Sequence, residues 1–217
     1  MSQLTLVIGN KNYSSWSLRP WVLLRYFNIP FEEKRVSLFV ETTAQLLEPY
    51  YSDYKVPVLK HDALIVWDSL AIVEYISEQH LDNKGWPTDV AARAVARGVS
   101  AEMHSSFAHV RNALPMNCRK KFPGFTINAD VQGDIDRITQ LWRYCRRHYG
   151  QSGPWLFGEF SIADAMYAPI VLRFVGYDVE LGSIESAYVE NFMQLPALQE
   201  WIGSGRAETE IIEMDEV

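Results

Sequence analysis

The stretch Asn12–Trp21, "NYSSWSLRPW", follows one apolar run, "LTLVIG" (residues 4–9), and leads into another, "WVLLRYF" (residues 21–27). A short buried run, a polar turn and a helical run predict a strand over Leu4–Gly9, a sharp turn, and a helix from about Ser17 to Phe27. Such a turn presents the N-terminus of a helix, where unpaired amides and the helix dipole favour an anion. It carries Ser14, Ser15, Ser17 and Arg19 but no thiol. Whatever chemistry it performs must therefore use hydroxyls.

Outward from this turn the pattern keeps alternating. "FEEKRVSL" (31–38) reads as a strand, "ETTAQLLEPY" (41–50) as a weaker helix, "PVLKH" (57–61) and "LIVWD" (64–68) as two strands joined at "DA", and "SLAIVEYISEQHL" (69–81) as an amphipathic helix. The order is βαβαββα. "DNKGWPTD" (82–89) mixes glycine, proline and charge and reads as a linker. Beyond it the pattern is helical. Apolar residues at Val95, Val99, Met103, Phe107, Val110 and Leu114 predict one helix over 90–114, and Val131, Ile135, Ile138, Trp142, Cys145 and Tyr149 predict another. Ser161 and Asp164 form a capping-box signature, with Pro169 in the helix that follows. The last helix, "PALQEWI", is expected to stop at "GSG" (203–205), and the acidic tail "ETEIIEMDEV" to be mobile at its end. The expected architecture is a small α/β domain over 1–81, a linker over 82–89 and an all-α domain over 90–217.

With 217 residues, 48% of them apolar, the chain can bury a large core. A net charge of −7 with no basic stripe excludes a nucleic-acid role; "RKK" (119–121) and "RR" (146–147) read as solvent-facing charges at helix ends. Cys118 and Cys145 lack His or Cys at ligand spacing, so neither a disulfide framework nor a metal site is expected, and Cys145 reads as core. No apolar run approaches the roughly 20 residues of a bilayer span, and the opening residues lack a secretory signal. A soluble, cytoplasmic protein without a membrane partner is the expectation.

Three segments carry candidate chemistry. The opening serines lie at a helix N-terminus. In "YKVPVL" Pro57 must enter a strand at its start or edge, and a cis Val56–Pro57 bond would free the Val56 backbone to pair with an extended peptide. Asp68 and Ser69 stand at a second helix N-terminus, a further place for a carboxylate. Taken singly, each is also an ordinary cap or strand edge.

In this order and spacing, "SSWSLRPW", "VPVL", "DSLAIVEYI" and the late "SIAD" with Pro169 resemble the glutathione transferase superfamily across nearly the whole chain. The first half is similar to its thioredoxin-like domain and the second to its helical domain. "SSWS-L-R" most resembles the serine-type zeta and related bacterial classes, with Trp16 where those carry a cysteine. The resemblance implies that Ser14, then Ser15, faces the glutathione sulfur, and that Lys55, Val56, Asp68 and Ser69 bind the tripeptide, Asp68 standing where most members have Gln or Glu. Tyr13 is a competing hydroxyl donor. Arg19 reads as a structural partner for an acidic side chain or a loop carbonyl. A free thiol has a pKa near ~8.5, and a hydrogen bond to a charged acceptor is worth roughly 1.5–3 kcal/mol, so one serine can bring the thiolate into the useful range.

The electrophile of this superfamily lies between the domains. His104, Ala108 and Arg111 share one face of the predicted 90–114 helix, so the resemblance implies that they line that site, part apolar and part cationic. The implied activity is conjugation of glutathione, as co-substrate, to small electrophiles by a homodimer. One alternative is glutathione-dependent isomerisation of the maleylacetoacetate type, for which Gly176 stands where that class carries an arginine and Arg173 sits nearly one turn earlier. The other is a non-catalytic binding or regulatory module. Thiol–disulfide exchange or dehydroascorbate reduction needs a cysteine in the opening turn, and its absence from Ser14 to Ser17 argues against that class.

Overall fold

A computed structural model describes residues 3–50 and 52–217. Its first part runs β1 (Leu4–Ile8), α1 (Ser15–Tyr26), β2 (Glu32–Arg35), α2 (Thr43–Leu47) continued by a 3-10 turn at Glu48–Tyr50, β3 (Val58–His61), β4 (Leu64–Trp67) and α3 (Ser69–His80). The four strands lie in the order β2-β1-β3-β4, with β1 and β2 parallel and the β1–β3 and β3–β4 pairs antiparallel. The order βαβαββα is the one the hydrophobic pattern predicts. Helix α1 begins two residues earlier than expected, so Ser15 and Ser17 lie within its first turn and Ser14 is its N-cap.

The remainder is helical: α4 (Val90–Ser105), α5 (Ala108–Ala113), α6 (Ala129–His148), α7 (Ile162–Gly176), α8 (Ser183–Met193) and α9 (Pro196–Ala207). The expected single helix over 90–114 is two. Ser106 is extended and Phe107 is left-handed at φ 61°, so the chain turns sharply between them. The apolar stripe survives the break: Val99, Met103, Phe107, Val110 and Leu114 are all buried, because the turn redirects the backbone while each half keeps its apolar face on the core.

Helices α1 and α7 pack together at the centre of the molecule. Leu18, Trp21, Val22, Leu23 and Leu24 of α1 are fully buried, as are Ala165, Met166, Tyr167, Ala168 and Val171 of α7. Each helix contains a proline, Pro20 and Pro169, in its interior. The Asp164 carboxylate anchors the start of α7. It accepts from the Ser161 amide (2.9 Å) and hydroxyl (3.0 Å), the Leu156 amide (3.0 Å) and the Tyr188 hydroxyl (3.1 Å).

Helix α9 does not stop at "GSG" but runs through it. A Cβ on Gly205 would lie 3.1 Å from both the Asn12 amide nitrogen and Cys118 Cβ, so glycine is what lets this helix approach the loop before α1. The tail also departs from expectation. Instead of hanging free it returns across that loop: the Glu208 carboxylate accepts from the Lys11 (2.8 Å) and Asn12 (3.0 Å) amides, Ile212 is buried, and Glu216 accepts from Asn117 (3.0 Å) and Lys120. Arg119, expected to face solvent, clamps this tail through the Glu208 and Glu210 (2.9 Å) carbonyls.

Cys118 and Cys145 are both free and buried, and burial pushes each thiol up to about 12. The thiolate is the reactive form. The native protein should therefore leave a chromogenic thiol reagent unreacted at neutral pH, with both cysteines titrating once it is unfolded; prompt stoichiometric reaction of the native form would contradict this burial.

Candidate functional site

The loop Asn10–Ser14 is fixed before α1 begins. The Tyr13 and Ser14 amides both donate to the Asn10 carbonyl (3.1 and 2.8 Å), while the Asn12 side-chain oxygen accepts from the Cys118 (2.9 Å) and Arg119 (3.0 Å) amides. Ser14 makes no capping bond with its side chain. Its hydroxyl donates instead to Ser17 Oγ at 2.7 Å, and Ser17 Oγ accepts in turn from the Gly9 amide at 3.1 Å. The Ser15 hydroxyl accepts from Arg173 Nη2 at 3.3 Å. Tyr13 is engaged elsewhere: its hydroxyl donates to Glu216 and accepts from Arg119, and burial together with the Glu216 carboxylate raises its pKa.

The cleft over this turn has two lobes that share Trp16, Lys55 and Val56. The smaller, about 410 Å³, is closed by Pro57, Trp67, Asp68, Ser69 and His104. The Val56–Pro57 peptide is cis, and among the described residues the Val56 N–H and C=O have no backbone partner. Those two groups are what an added peptide strand requires. Asp68 caps α3 with φ 75°; its Oδ1 accepts from the Leu70 (2.9 Å) and Ala71 (3.2 Å) amides, and its Oδ2 meets His104 Nε2 at 2.6 Å. Ser69, 1% exposed, accepts from Arg19 at 3.3 Å. Lys55 is exposed at the rim and pairs with Asp53 at 2.7 Å.

The larger lobe, about 630 Å³, holds Ser14 and Ser15 against an apolar wall of Leu38, Val40 and Met116, with Arg111 and Arg173 facing them. Of the three residues expected at an electrophile site, Arg111 alone lies here. The break at Ser106–Phe107 removes the common face: Ala108 is exposed and lines neither lobe, and His104 lies in the smaller lobe beside Asp68. Among the described residues Arg19 binds neither a carboxylate nor a carbonyl. Fully buried, it stacks on Trp16 at 4.0 Å and reaches Ser69, so it joins the two helix N-termini. Trp16 is held between Arg19 and the Arg111 guanidinium at 5.4 Å, with the His104 ring at its edge.

Arg19, Arg111 and Arg173 thus gather around the first turn of α1. Among the described residues none of them has a carboxylate at ion-pair distance. Burial is the main cause that lowers all three, Arg19 to about 9 and Arg173 to about 10, and Arg111 repels both. A cleft with this much uncompensated positive charge beside a helix N-terminus suits an anion. Ser17 and Trp16 belong to the motif but gain their roles only here, as does Arg173 through its contact with Ser15. The i, i+3 spacing of Ser14 and Ser17 was the available signal for the first; nothing local signals a contact 158 residues apart.

A four-stranded sheet with a cis proline at the entrance of β3, two helix N-termini in one cleft and a helical bundle behind them make up a thioredoxin-like domain joined to an all-helical one. Two family profiles match, both described as glutathione S-transferase: the N-terminal domain over residues 13–79 and the C-terminal domain over 127–204, together about two thirds of the chain. The chain belongs to the glutathione S-transferase family.

Among curated relatives, a probable maleylacetoacetate isomerase of Caenorhabditis elegans is 29% identical over 170 residues, 77% of this chain and 78% of that one. A maleylacetoacetate isomerase of Dictyostelium discoideum is 31% identical over 114 residues, 51% and 52% of the two chains. Among solved structures, a glutathione transferase homologue from Burkholderia with bound glutathione superimposes with a TM-score of 0.69 at 24% identity, covering 95% of this chain and all of that one. Among the described residues no helix is long and apolar enough to cross a membrane, and no group of His, Cys, Asp or Glu could hold a metal ion.

Proposed function

We propose that this chain transfers glutathione to small electrophiles, binding the tripeptide in the smaller lobe and holding its thiolate with the Ser14 hydroxyl. The observation that carries this is the placement of Ser14 at the N-cap of α1, with no capping bond and with the Ser17 hydroxyl at 2.7 Å. Ser17 still has a proton of its own. When a sulfur arrives, Ser14 turns its proton to it while Ser17 donates to Ser14 from behind, so no buried hydroxyl is orphaned. The thiol proton leaves to solvent, and the sulfur attacks an electrophile in the larger lobe. The unpartnered Val56 backbone supports peptide docking, and Ser69 at the N-terminus of α3 supports capture of the γ-glutamyl carboxylate. Lys55 at the rim faces the opposite end of the tripeptide. Asp68, with three of its acceptor positions already used, offers the substrate amino group what remains of Oδ2.

Calorimetric titration with glutathione and a chromogenic aryl-halide assay test this reading. Ser69→Ala should weaken glutathione binding about ten- to a hundredfold, from the loss of one charge-assisted hydrogen bond of roughly 1.5–3 kcal/mol, with kcat nearly unchanged. Binding without turnover would favour a non-catalytic module; no binding would end the proposal.

A second reading, glutathione-dependent isomerisation of a carboxylate-bearing alkene, is favoured by the Arg111 guanidinium in the larger lobe and by two relatives named as maleylacetoacetate isomerases. Residues 1–81 would then form the glutathione domain and 90–217 the electrophile domain, joined by 82–89. We also infer a cytoplasmic homodimer, supported by the family and by Leu64 and Trp67 exposed on the edge strand β4; light scattering on a sizing column tests the dimer.

A further inference from the structure

Arg173 has no part in the chemistry above, yet it is among the most constrained side chains in the cleft. It is 5% exposed in the last turn of α7. One of its amino groups, Nη1, donates to the Arg111 (3.1 Å) and Leu114 carbonyls, which fixes the plane of the guanidinium. The other, Nη2, donates to Ser15 Oγ at 3.3 Å across the interface with α1. Among the described residues its Nε has no partner.

This arrangement determines where the Ser15 proton goes. Arginine offers donors only, so the Ser15 hydroxyl cannot donate back to it. With one lone pair taken by a cation, the remaining O–H is polarised and must find its acceptor elsewhere, and the larger lobe of the cleft lies directly before it. Ser14 and Ser15 therefore rest in different states: Ser14 gives its proton to Ser17, whereas among the described residues the Ser15 proton has no acceptor.

The charged and titratable groups facing Arg173 do not cancel it. Arg111 and Arg19 add charge of the same sign; Asp215, from the docked tail, and the Tyr177 phenol of α7's C-cap are the neighbours of opposite tendency, and neither forms an ion pair with it. Burial lowers Arg173 to about 10, so keeping it charged is costly, and an anion arriving beside Ser15 offsets that cost.

We propose that Arg173 is a positioning residue that, through Ser15, supplies a second and cation-polarised hydroxyl to the glutathione sulfur and so holds it as the thiolate. This rests on the glutathione-transferase reading and adds to it a residue from the helical half of the chain. The test follows the ultraviolet absorbance of enzyme-bound thiolate against pH in the wild type, Ser15→Ala, Arg173→Met, Arg173→Lys and the double variant Ser15→Ala/Arg173→Met. Glutathione affinity is measured separately by calorimetry.

Arg173→Met should raise the pKa of the bound thiol by about one unit, the equivalent of one charge-assisted hydrogen bond, with glutathione affinity little changed. Ser15→Ala should raise it by a similar amount, and the double variant no further. Arg173→Lys should recover part of the loss, because an ammonium keeps the charge but not the planar fork. An unchanged thiol titration in Arg173→Met, or additive shifts in the double variant, overturns the proposal. Where Arg173→Met does not fold, Ser15→Ala and Arg173→Lys decide: a Ser15→Ala titration like that of the wild type overturns it. Wild-type protein that binds glutathione without lowering its thiol pKa fails this inference and the Ser14 role together, while absence of binding removes the underlying reading.

Discussion

Ser14→Ala should lower kcat for glutathione conjugation about ten- to a hundredfold at neutral pH. A hydrogen bond from a neutral hydroxyl to a charged acceptor is worth roughly 1.5–3 kcal/mol, and each ~1.4 kcal/mol is a factor of ten. The bound thiol should titrate about one to two units higher, so part of the lost rate should return as pH is raised. Glutathione affinity should change little, since the pose proposed above holds the tripeptide elsewhere, along the Val56 backbone and at Ser69. The fold should be intact, because Ser14 makes no capping bond and Ser17 keeps the Gly9 amide as its partner. Steady-state kinetics, calorimetry and the pH profile of kcat check the three parts separately. Undiminished turnover in this variant would remove Ser14 from the mechanism and leave Ser15 as the donor.

The second large effect is on stability. Asp164 is fully buried and accepts four hydrogen bonds, two from Ser161, one from the Leu156 amide and one from the Tyr188 hydroxyl. Asp164→Ala leaves those donors without a partner in the core, at about 1–3 kcal/mol each and not additively. A total on the order of ~4 kcal/mol is a large share of the 5–15 kcal/mol that holds a domain folded. The melting temperature should fall by about 10–15 °C at the ~2–4 °C per kcal/mol usual for a chain of this size.

The pH dependence of this loss has a definite sign. Burial, the largest influence on Asp164, raises it from 3.8 to about 6, against the four hydrogen bonds that lower it. A folded state that binds the proton more tightly than the unfolded state gains most at low pH. The contribution of Asp164 is then full below about pH 4 and declines as pH rises through about 6. The stability gap between wild type and Asp164→Ala should accordingly be wider at pH 4 than at pH 7. Denaturant titration at the two values checks this, and a gap that widens with pH would contradict it.

Much of the chain could be read without its tertiary structure because the signals are local. The change of apolar period from two to helical spacing located β1, α1, the β3–β4 hairpin and α3, and the Ser161/Asp164 spacing marked the start of α7. The same locality explains the errors. A continuous apolar stripe over 90–114 cannot reveal the turn at Ser106 and Phe107, since both halves bury the same face. For that reason Ala108 lies exposed outside the cleft and His104 beside Asp68. Gly203 and Gly205 look like a helix stop, but the second is required by the close passage of α9 over the Asn12 loop, which is known only when both elements are in place.

The sequence by itself determined the order of elements, the thiol-free turn, the proline at the head of a strand and the two polar helix N-termini, because each depends on residues within a few positions of one another. The tertiary structure alone decided how the site is charged. Arg19, Arg111 and Arg173 come from three helices and meet around the first turn of α1, and the acidic tail closes over Tyr13 from the far end of the chain. Electrostatic interactions depend on distance through space and on the exclusion of water, and neither can be read from separation along a chain.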